Sequence, residues 1–270
     1  MTVGTMNLVH SPIDPFGMLV RPAGDGTDGA DVRSLPPEQL ARWVDDARVL
    51  VLRGFAPLDR DEFVAFCRGW GEILTWDFGE VLDLVVHETP KNYLFTPGVV
   101  PYHWDGAFAR AEPNYMIFQC VQAPEAGSGG QTVFCDTTKV CRRTDDARLE
   151  QWRRQPITYQ TEKVEHYGGH VTQPLVSTHP KTGAARIRYA EPLAPEDYLN
   201  PLFIDVEGVD EEGQERLVDE LREVLYAPEV CYPHEWHDGD IVVADNFAVL
   251  HGRRPFTHES PRHLRRVHVL

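Results

Sequence analysis

The sequence predicts a mainly β protein, a sandwich or jelly roll with flanking helices, built as a single domain over residues 1–270. Three observations carry this. From residue 81 to the end, short β-like runs recur between turn residues. Only two stretches in that region keep helical spacing. No repeat, low-complexity tract or linker divides the chain, and 42% hydrophobic with 25% charged residues suits a water-soluble body with a real core.

Taken in order, residues 1–35 are rich in Gly, Pro and Asp and are expected to wrap the surface. Pro36 and Pro37 open a short helix that reaches Ala47, since proline is tolerated in a first helical turn. Residues 48–53, with Val49, Leu50, Val51 and Leu52 at their centre, read as a buried strand. Asp59-Arg60-Asp61-Glu62 resembles a capping box, so a second helix starts there and carries Phe63, Val64, Phe66 and Cys67. Strand-like runs follow at 81–86, 115–121, 132–134, 157–160, 175–178, 186–189, 241–244 and 267–270. Helices interrupt near 145–154 and over 211–226, where Leu217, Val218, Leu221, Val224 and Leu225 form an apolar stripe. The segment 162–173, with Gly168 and Gly169, is expected to be a loop able to act as a lid.

Composition removes several classes of function. The net charge of −16 repels phosphate backbones, so no nucleic-acid partner is expected. The five cysteines contain no C-x-x-C pair and are odd in number, which argues against a disulfide framework or a Cys-rich zinc site. No apolar run reaches the roughly 18 residues that span a bilayer. Residues 1–21 lack a basic start followed by a long apolar stretch, so a cytoplasmic chain with no membrane partner is expected.

The chemistry concentrates at Tyr102-His103-Trp104-Asp105-Gly106. In a strand, side chains at i and i+2 share a face, so His103 and Asp105 would converge. An imidazole and a carboxylate are two-thirds of the facial triad that binds Fe(II) and leaves positions open. The third ligand would be a histidine from a distant strand, and twelve histidines compete. The pairs His166/His170 and His234/His237 lie in polar, turn-rich sequence and read as surface or loop residues. His251 follows an apolar strand and a turn, a position suited to facing a cavity. Further on, Arg262, Leu264 and Arg266 would share a strand face, the two arginines about 13 Å apart at Cα. Guanidinium groups near a metal in an acidic protein suit carboxylates, which they grip bidentately. Surface ion pairing is the alternative for both.

The chain resembles the taurine dioxygenase family of Fe(II)/2-oxoglutarate oxygenases. The matching pieces are His103-Trp104-Asp105, Gly129-Gly130-Gln131-Thr132, Thr178-His179-Pro180, residues 240–246 with His251, and residues 262–266. They stand in the family's order and cover most of 48–270. The resemblance implies a double-stranded β-helix, with Fe(II) and 2-oxoglutarate as cofactors. It implies His103, Asp105 and His251 as the catalytic iron ligands, Thr132 and Arg262 as the grip on the distal carboxylate of 2-oxoglutarate, and Arg266 as a substrate-binding residue. The presence of Asp105 sets the chain apart from the halogenating members. Within the family, residues 102–108, 118–124 and 262–269 look like the bacterial isonitrile-pathway oxygenases of paerucumarin- or rhabduscin-type secondary metabolism. That likeness implies O2 and a small substrate, tyrosine isonitrile or a related amino-acid derivative. The reaction implied is desaturation of the Cα–Cβ bond, with or without loss of the carboxylate. Hydroxylation of another small carboxylic acid, or a non-catalytic jelly-roll binding protein, are the alternatives. Tyr93, Phe95, Tyr102, Phe108 and Tyr115 are candidates to line an aromatic pocket.

Overall fold

The computed structural model describes residues 6–24, 29–164, 167–257 and 260–270. In chain order its elements are β1 (Leu8–Pro12), β2 (Met18–Pro22), α1 (Pro37–Ala47), β3 (Val49–Leu52), α2 (Arg60–Arg68), β4 (Leu82–Leu84), β5 (Val100–His103), β6 (Tyr115–Gln122) and β7 (Thr132–Asp136). Then come α3 (Thr137–Arg143), α4 (Asp146–Arg153), β8 (Pro156–Val164), β9 (Tyr167–Pro174), β10 (Val176–Thr178), β11 (Ala185–Ile187), β12 (Phe203–Val206) and α5 (Glu211–Leu225). The chain finishes with β13 (Cys231–His234), β14 (Ile241–Asp245), β15 (Val249–Arg253) and β16 (His263–Val269).

Two sheets face each other, the jelly roll that the strand pattern predicts. The larger runs β1-β2-β3-β14-β6-β16-β4 and the smaller β13-β7-β15-β5. Period-2 alternation gives every strand two duties. On β6, β14 and β16, Ile117, Ile241, Val243, Val267 and Val269 pack beneath α1 and α2. Their neighbours Met116, Phe118, Cys120, Val242, Ala244 and Leu264 meet Phe134, Tyr232 and Val249 of the smaller sheet. Phe134 is fully buried at this seam, and its truncation to Ala would cost about 3–5 kcal/mol. The outer face of the smaller sheet, with Tyr102, Val133, Cys135 and Leu250, is closed by α3, α4, α5 and the β12-β8-β9 sheet.

The helices start and stop where local chemistry dictates. The α2 capping box is complete: Asp59 accepts from the Glu62 N–H, and Glu62 accepts from the Asp59 N–H. Such a cap contributes ~1 kcal/mol. Pro37 occupies the first turn of α1, which buries Leu40 and Val44 and ends at Arg48, whose φ is 70°. On α5, Leu217, Leu221 and Leu225 are buried, while Val218 and Val224 are only half-buried.

Three expectations are corrected. Residues 8–22 do not merely wrap the surface; β1 and β2 form a hairpin whose second strand runs parallel to β3. Of the segment expected as a loop at 162–173, the described residues instead belong to the antiparallel strands β8 and β9, whose register runs from Pro156↔Pro174 to Val164↔Tyr167. His234 is buried in β13, not on the surface, with Tyr232 Oη 2.7 Å from its Nδ1 and Asp240 Oδ2 3.3 Å from its Nε2. His166 lies outside the described residues. No helix among the described residues is long and apolar enough to cross a membrane.

Candidate active site

β5 and β15 are antiparallel neighbours, and His103 stands directly opposite His251. Alternation turns His103, and on β15 Val249, His251 and Arg253, toward the larger sheet, while Tyr102 and Leu250 point outward. The chain turns after His103 and brings Asp105 back to the same spot. One nitrogen of each imidazole and one oxygen of the carboxylate lie within 4.8 Å of one another. His103 Nε2 is 3.8 Å from Asp105 Oδ1, and His251 Nε2 is 3.6 Å from Oδ2. These separations exceed hydrogen bonds, so the three groups converge without bonding to one another.

The donor set has the protonation a divalent metal needs. Nδ1 of His103 donates to the Pro101 carbonyl at 2.9 Å, which leaves the Nε2 lone pair facing the cluster. Burial holds both His103 and His251 below the ordinary histidine range, His251 the further because His103 lies beside it. Burial alone would raise the Asp105 carboxyl, but Arg266, His268 and His251 hold it well below the usual carboxylate range. Two neutral imidazoles and a carboxylate with open coordination positions suit Fe(II).

A frame of buried polar groups holds Asp105. The Asn246 amide donates to the Asp105 carbonyl at 2.9 Å and accepts from its N–H at 3.2 Å. Asn246 in turn sits in a turn braced by neighbours: Asp245 meets His179 Nε2 at 2.9 Å, and Arg188 donates to the Asn246 carbonyl at 2.7 Å. This accounts for the Thr178-His179-Pro180 motif as a brace, not as a metal-binding element. From β16, Arg266 Nη1 reaches Asp105 Oδ2 at 2.9 Å, and His268 Nε2 reaches the same oxygen at 2.7 Å. Sequence reasoning did not single out Asn246 or His268. Period 2 was the available signal for His268, since Leu264, Arg266 and His268 share one face of β16.

Two cavities meet at this cluster. The smaller is lined by His103, Thr132, His251, Arg253, Arg262 and Arg266 among others. The Arg262 Nε donates to the Gly130 carbonyl at 3.0 Å. Burial, then the nearby Arg253, pull the Arg262 guanidinium down to about 9. A buried cation with no acidic partner among the described residues is poised for an anion. Trp236 Nε1 donates to Thr132 Oγ1 at 3.1 Å, so the Thr132 hydroxyl proton remains available to a carboxylate. The Gly129–Gly130 turn makes this geometry possible. Gly129 has φ +93°, and a Cβ there would lie 2.1 Å from the Pro255 carbonyl oxygen. Arg253 has a different task, with its guanidinium donating to the carbonyls of Leu94, Thr96 and Gly98.

The larger cavity is walled by Trp76, Phe78, Tyr93, Trp104, Phe108 and Tyr159, with Arg266 and His268 also lining it. Tyr93 and Phe108 are therefore where an aromatic lining was expected. Phe95 lines a neighbouring cavity instead. Tyr102 points to the opposite face of β5, with its Oη 3.0 Å from Cys231 Sγ, and Tyr115 packs against Trp70 beneath Lys181.

Comparison with known proteins agrees with the geometry. The family model described as taurine catabolism dioxygenase TauD, TfdA family matches residues 13–268. The chain is similar to 3-((Z)-2-isocyanoethenyl)-1H-indole synthase of Fischerella ambigua, 49% identical over 96% of this chain and 94% of that one. It is also similar to tyrosine isonitrile desaturase of Pseudomonas aeruginosa, 37% identical over 94% of this chain and 87% of that one. Among solved structures it resembles PvcB, an Fe, alpha-ketoglutarate dependent oxygenase from an isonitrile synthetic pathway, with a TM-score of 0.78 at 33% identity, covering 100% of this chain and 93% of that one. The chain is an Fe(II)- and 2-oxoglutarate-dependent oxygenase and belongs to the TauD/TfdA dioxygenase family.

Proposed function

We propose that this enzyme desaturates the Cα–Cβ bond of an isonitrile derived from an aromatic amino acid, with tyrosine isonitrile as the first candidate. The observation that carries the reading is that His103 and Arg266 border both cavities. One cavity offers a buried cation and a hydroxyl to a dianion, and the other offers aromatic walls to a ring. His103, Asp105 and His251 would hold the iron between them. Thr132 and Arg262 would hold the distal carboxylate of 2-oxoglutarate.

Bound iron, with 2-oxoglutarate and O2, supplies the oxidising power to remove hydrogen from a substrate carbon. The remaining work is positioning. Arg262 fixes the far end of the co-substrate through charge-assisted hydrogen bonds. The aromatic walls exclude water and align the ring, which places the benzylic carbon toward the cluster. Arg266 keeps one nitrogen on Asp105, while its buried Nε has no protein partner. That Nε–H is the group we assign to the substrate carboxylate.

A specific observation favours a second substrate. The relative at 49% identity is named for an indole carrying an isocyanoethenyl arm, which has no carboxylate. Tryptophan isonitrile and decarboxylative desaturation are therefore the second reading. The test is a mass-spectrometric product assay with Fe(II), 2-oxoglutarate, O2 and each isonitrile in turn. Loss of two hydrogens, or of two hydrogens plus CO2, supports desaturation and identifies the branch. Gain of one oxygen makes the enzyme a hydroxylase. Two unchanged isonitriles would overturn the substrate assignment.

A further inference from the structure

We infer that His268, backed by Trp76, fixes the orientation of the Asp105 carboxylate toward His103 and His251, and so acts as a positioning residue for the iron site. The inference rests on the reading that His103, Asp105 and His251 hold the iron.

The tautomer of His268 follows from its neighbour. Trp76 Nε1 lies 3.0 Å from His268 Nδ1. An indole N–H only donates, so Nδ1 is the unprotonated acceptor. The ring proton is then on Nε2, which points at Asp105 Oδ2 from 2.7 Å. Trp76 is delivered to this place by the backbone. Leu74 N–H donates to the His268 carbonyl at 2.9 Å, and Ile73 bridges to Val269. The segment before Trp76 is therefore stitched to the end of β16.

The consequence lies at the carboxylate. A carboxylate oxygen has two in-plane lone pairs. Oδ2 accepts from His268 at 2.7 Å and has Arg266 Nη1 beside it as an ion pair at 2.9 Å. Oδ1 accepts the Arg266 N–H at 3.2 Å and lies 3.8 Å from His103 Nε2. Each oxygen thus accepts one hydrogen bond and keeps one lone pair, and the shorter bond, from His268, fixes the rotation of the carboxylate beside the two imidazoles. Without the His268 donor, Arg266 is left to resist rotation of Asp105 away from them.

The test uses the full chain, with anaerobic Fe(II) titration and the visible charge-transfer band of the Fe(II)–2-oxoglutarate complex. His268→Leu is expected to weaken Fe(II) binding about 10- to 100-fold and to shift or broaden the band. His268→Gln keeps an N–H donor at the same reach and is expected to recover most of both. Trp76→Phe keeps the ring but loses its N–H, and is expected to weaken binding about three- to tenfold. His268→Leu with Fe(II) affinity within twofold of wild type and an unchanged band overturns the inference. If His268→Leu does not fold, Trp76→Phe decides in the same way. Asp105→Ala is the control. Loss of Fe(II) binding there, with none in the His268 and Trp76 variants, sinks this inference alone. Retained binding in Asp105→Ala sinks the metal-site reading itself.

Discussion

His103 and His251 face each other across one antiparallel strand pair, with ring centroids 4.3 Å apart. The sheet sets the spacing of the two Cα atoms, because directly opposed residues in a ladder are held at fixed distance, and the side chains then turn their rings toward each other. Only Asp105 depends on a turn, and Asn246 clips that turn on both backbone groups. The three side chains should therefore act as a unit. His103→Ala, Asp105→Ala and His251→Ala are each expected to weaken Fe(II) binding by more than the ~10–100-fold typical of an outer partner. Each should also abolish 2-oxoglutarate turnover. Calorimetric metal titration with a succinate assay checks this, and normal turnover in any one variant would remove that residue from the site.

Arg262 and Thr132 are expected to govern the co-substrate and leave the metal alone. Arg262→Met removes a charged donor buried without an acidic partner among the described residues. A charged hydrogen bond contributes about 1.5–3 kcal/mol, so the KM for 2-oxoglutarate should rise roughly 10- to 150-fold. Arg262→Lys should recover little, since a point charge cannot form the bidentate contact. Fe(II) affinity should stay near wild type in both. An unchanged KM would place the distal carboxylate elsewhere.

What the sequence made legible was local. The α2 capping box and the first turn of α1 depend on residues within four positions of each other; His103 and Asp105 do converge, but through the turn that follows β5 and not through the strand alternation that was expected. The strand-like runs at 115–121 and 241–244 were equally readable and fall in β6 and β14, as was the buried run of β3. What stayed hidden was decided by distant partners. In the β1 and β2 strands only Val20 is fully buried, so they carry no clean alternation. His234 reads as polar surface until β13 pairs with β7 and brings Asp240 beneath it. The Asn246 clip joins residues 141 positions apart. Arg266 was expected at the substrate; its contact with Asp105 appears only when β16 lies across from β5.

His234 should give the chain a specific acid sensitivity. Burial holds its imidazole below the ordinary range, against the opposing pull of Asp240. The unfolded chain therefore binds a proton more readily than the native one. Stability from this group is fully present above the unfolded pKa of ~6.5 and declines as pH falls through it toward the lower native value. His234→Gln lacks this proton. At pH 8 the variant should be less stable by about 1–3 kcal/mol, from the lost partner of Tyr232 Oη. The gap between wild type and variant should narrow as pH falls from 8 to 5.5. Melting curves of both across that range, without metal, give the difference directly and cancel the net-charge background. A gap that is constant or widens with acid would mean that His234 is not held neutral.

Ala190 offers a way to separate the two cavities. It lines the larger, aromatic one and is absent from the wall of the smaller. Replacing it with Phe adds a ring to space that we assign to the substrate ring. Overpacking of this kind costs about 1–3 kcal/mol, to be borne either by the fold or by the bound substrate. Melting temperature distinguishes the two. If the fold is intact, the KM for an aromatic isonitrile should rise about 10-fold or more, the equivalent of ~1.4 kcal/mol. The Fe(II)–2-oxoglutarate charge-transfer band should not change, because Thr132 and Arg262, assigned to 2-oxoglutarate, line the smaller cavity, which Ala190 does not reach. Ala190→Ser is the volume-neutral control and should behave as wild type toward both ligands. A raised KM for 2-oxoglutarate with an unaltered KM for the isonitrile would exchange the roles of the two cavities, and with them the roles of Arg262 and Arg266.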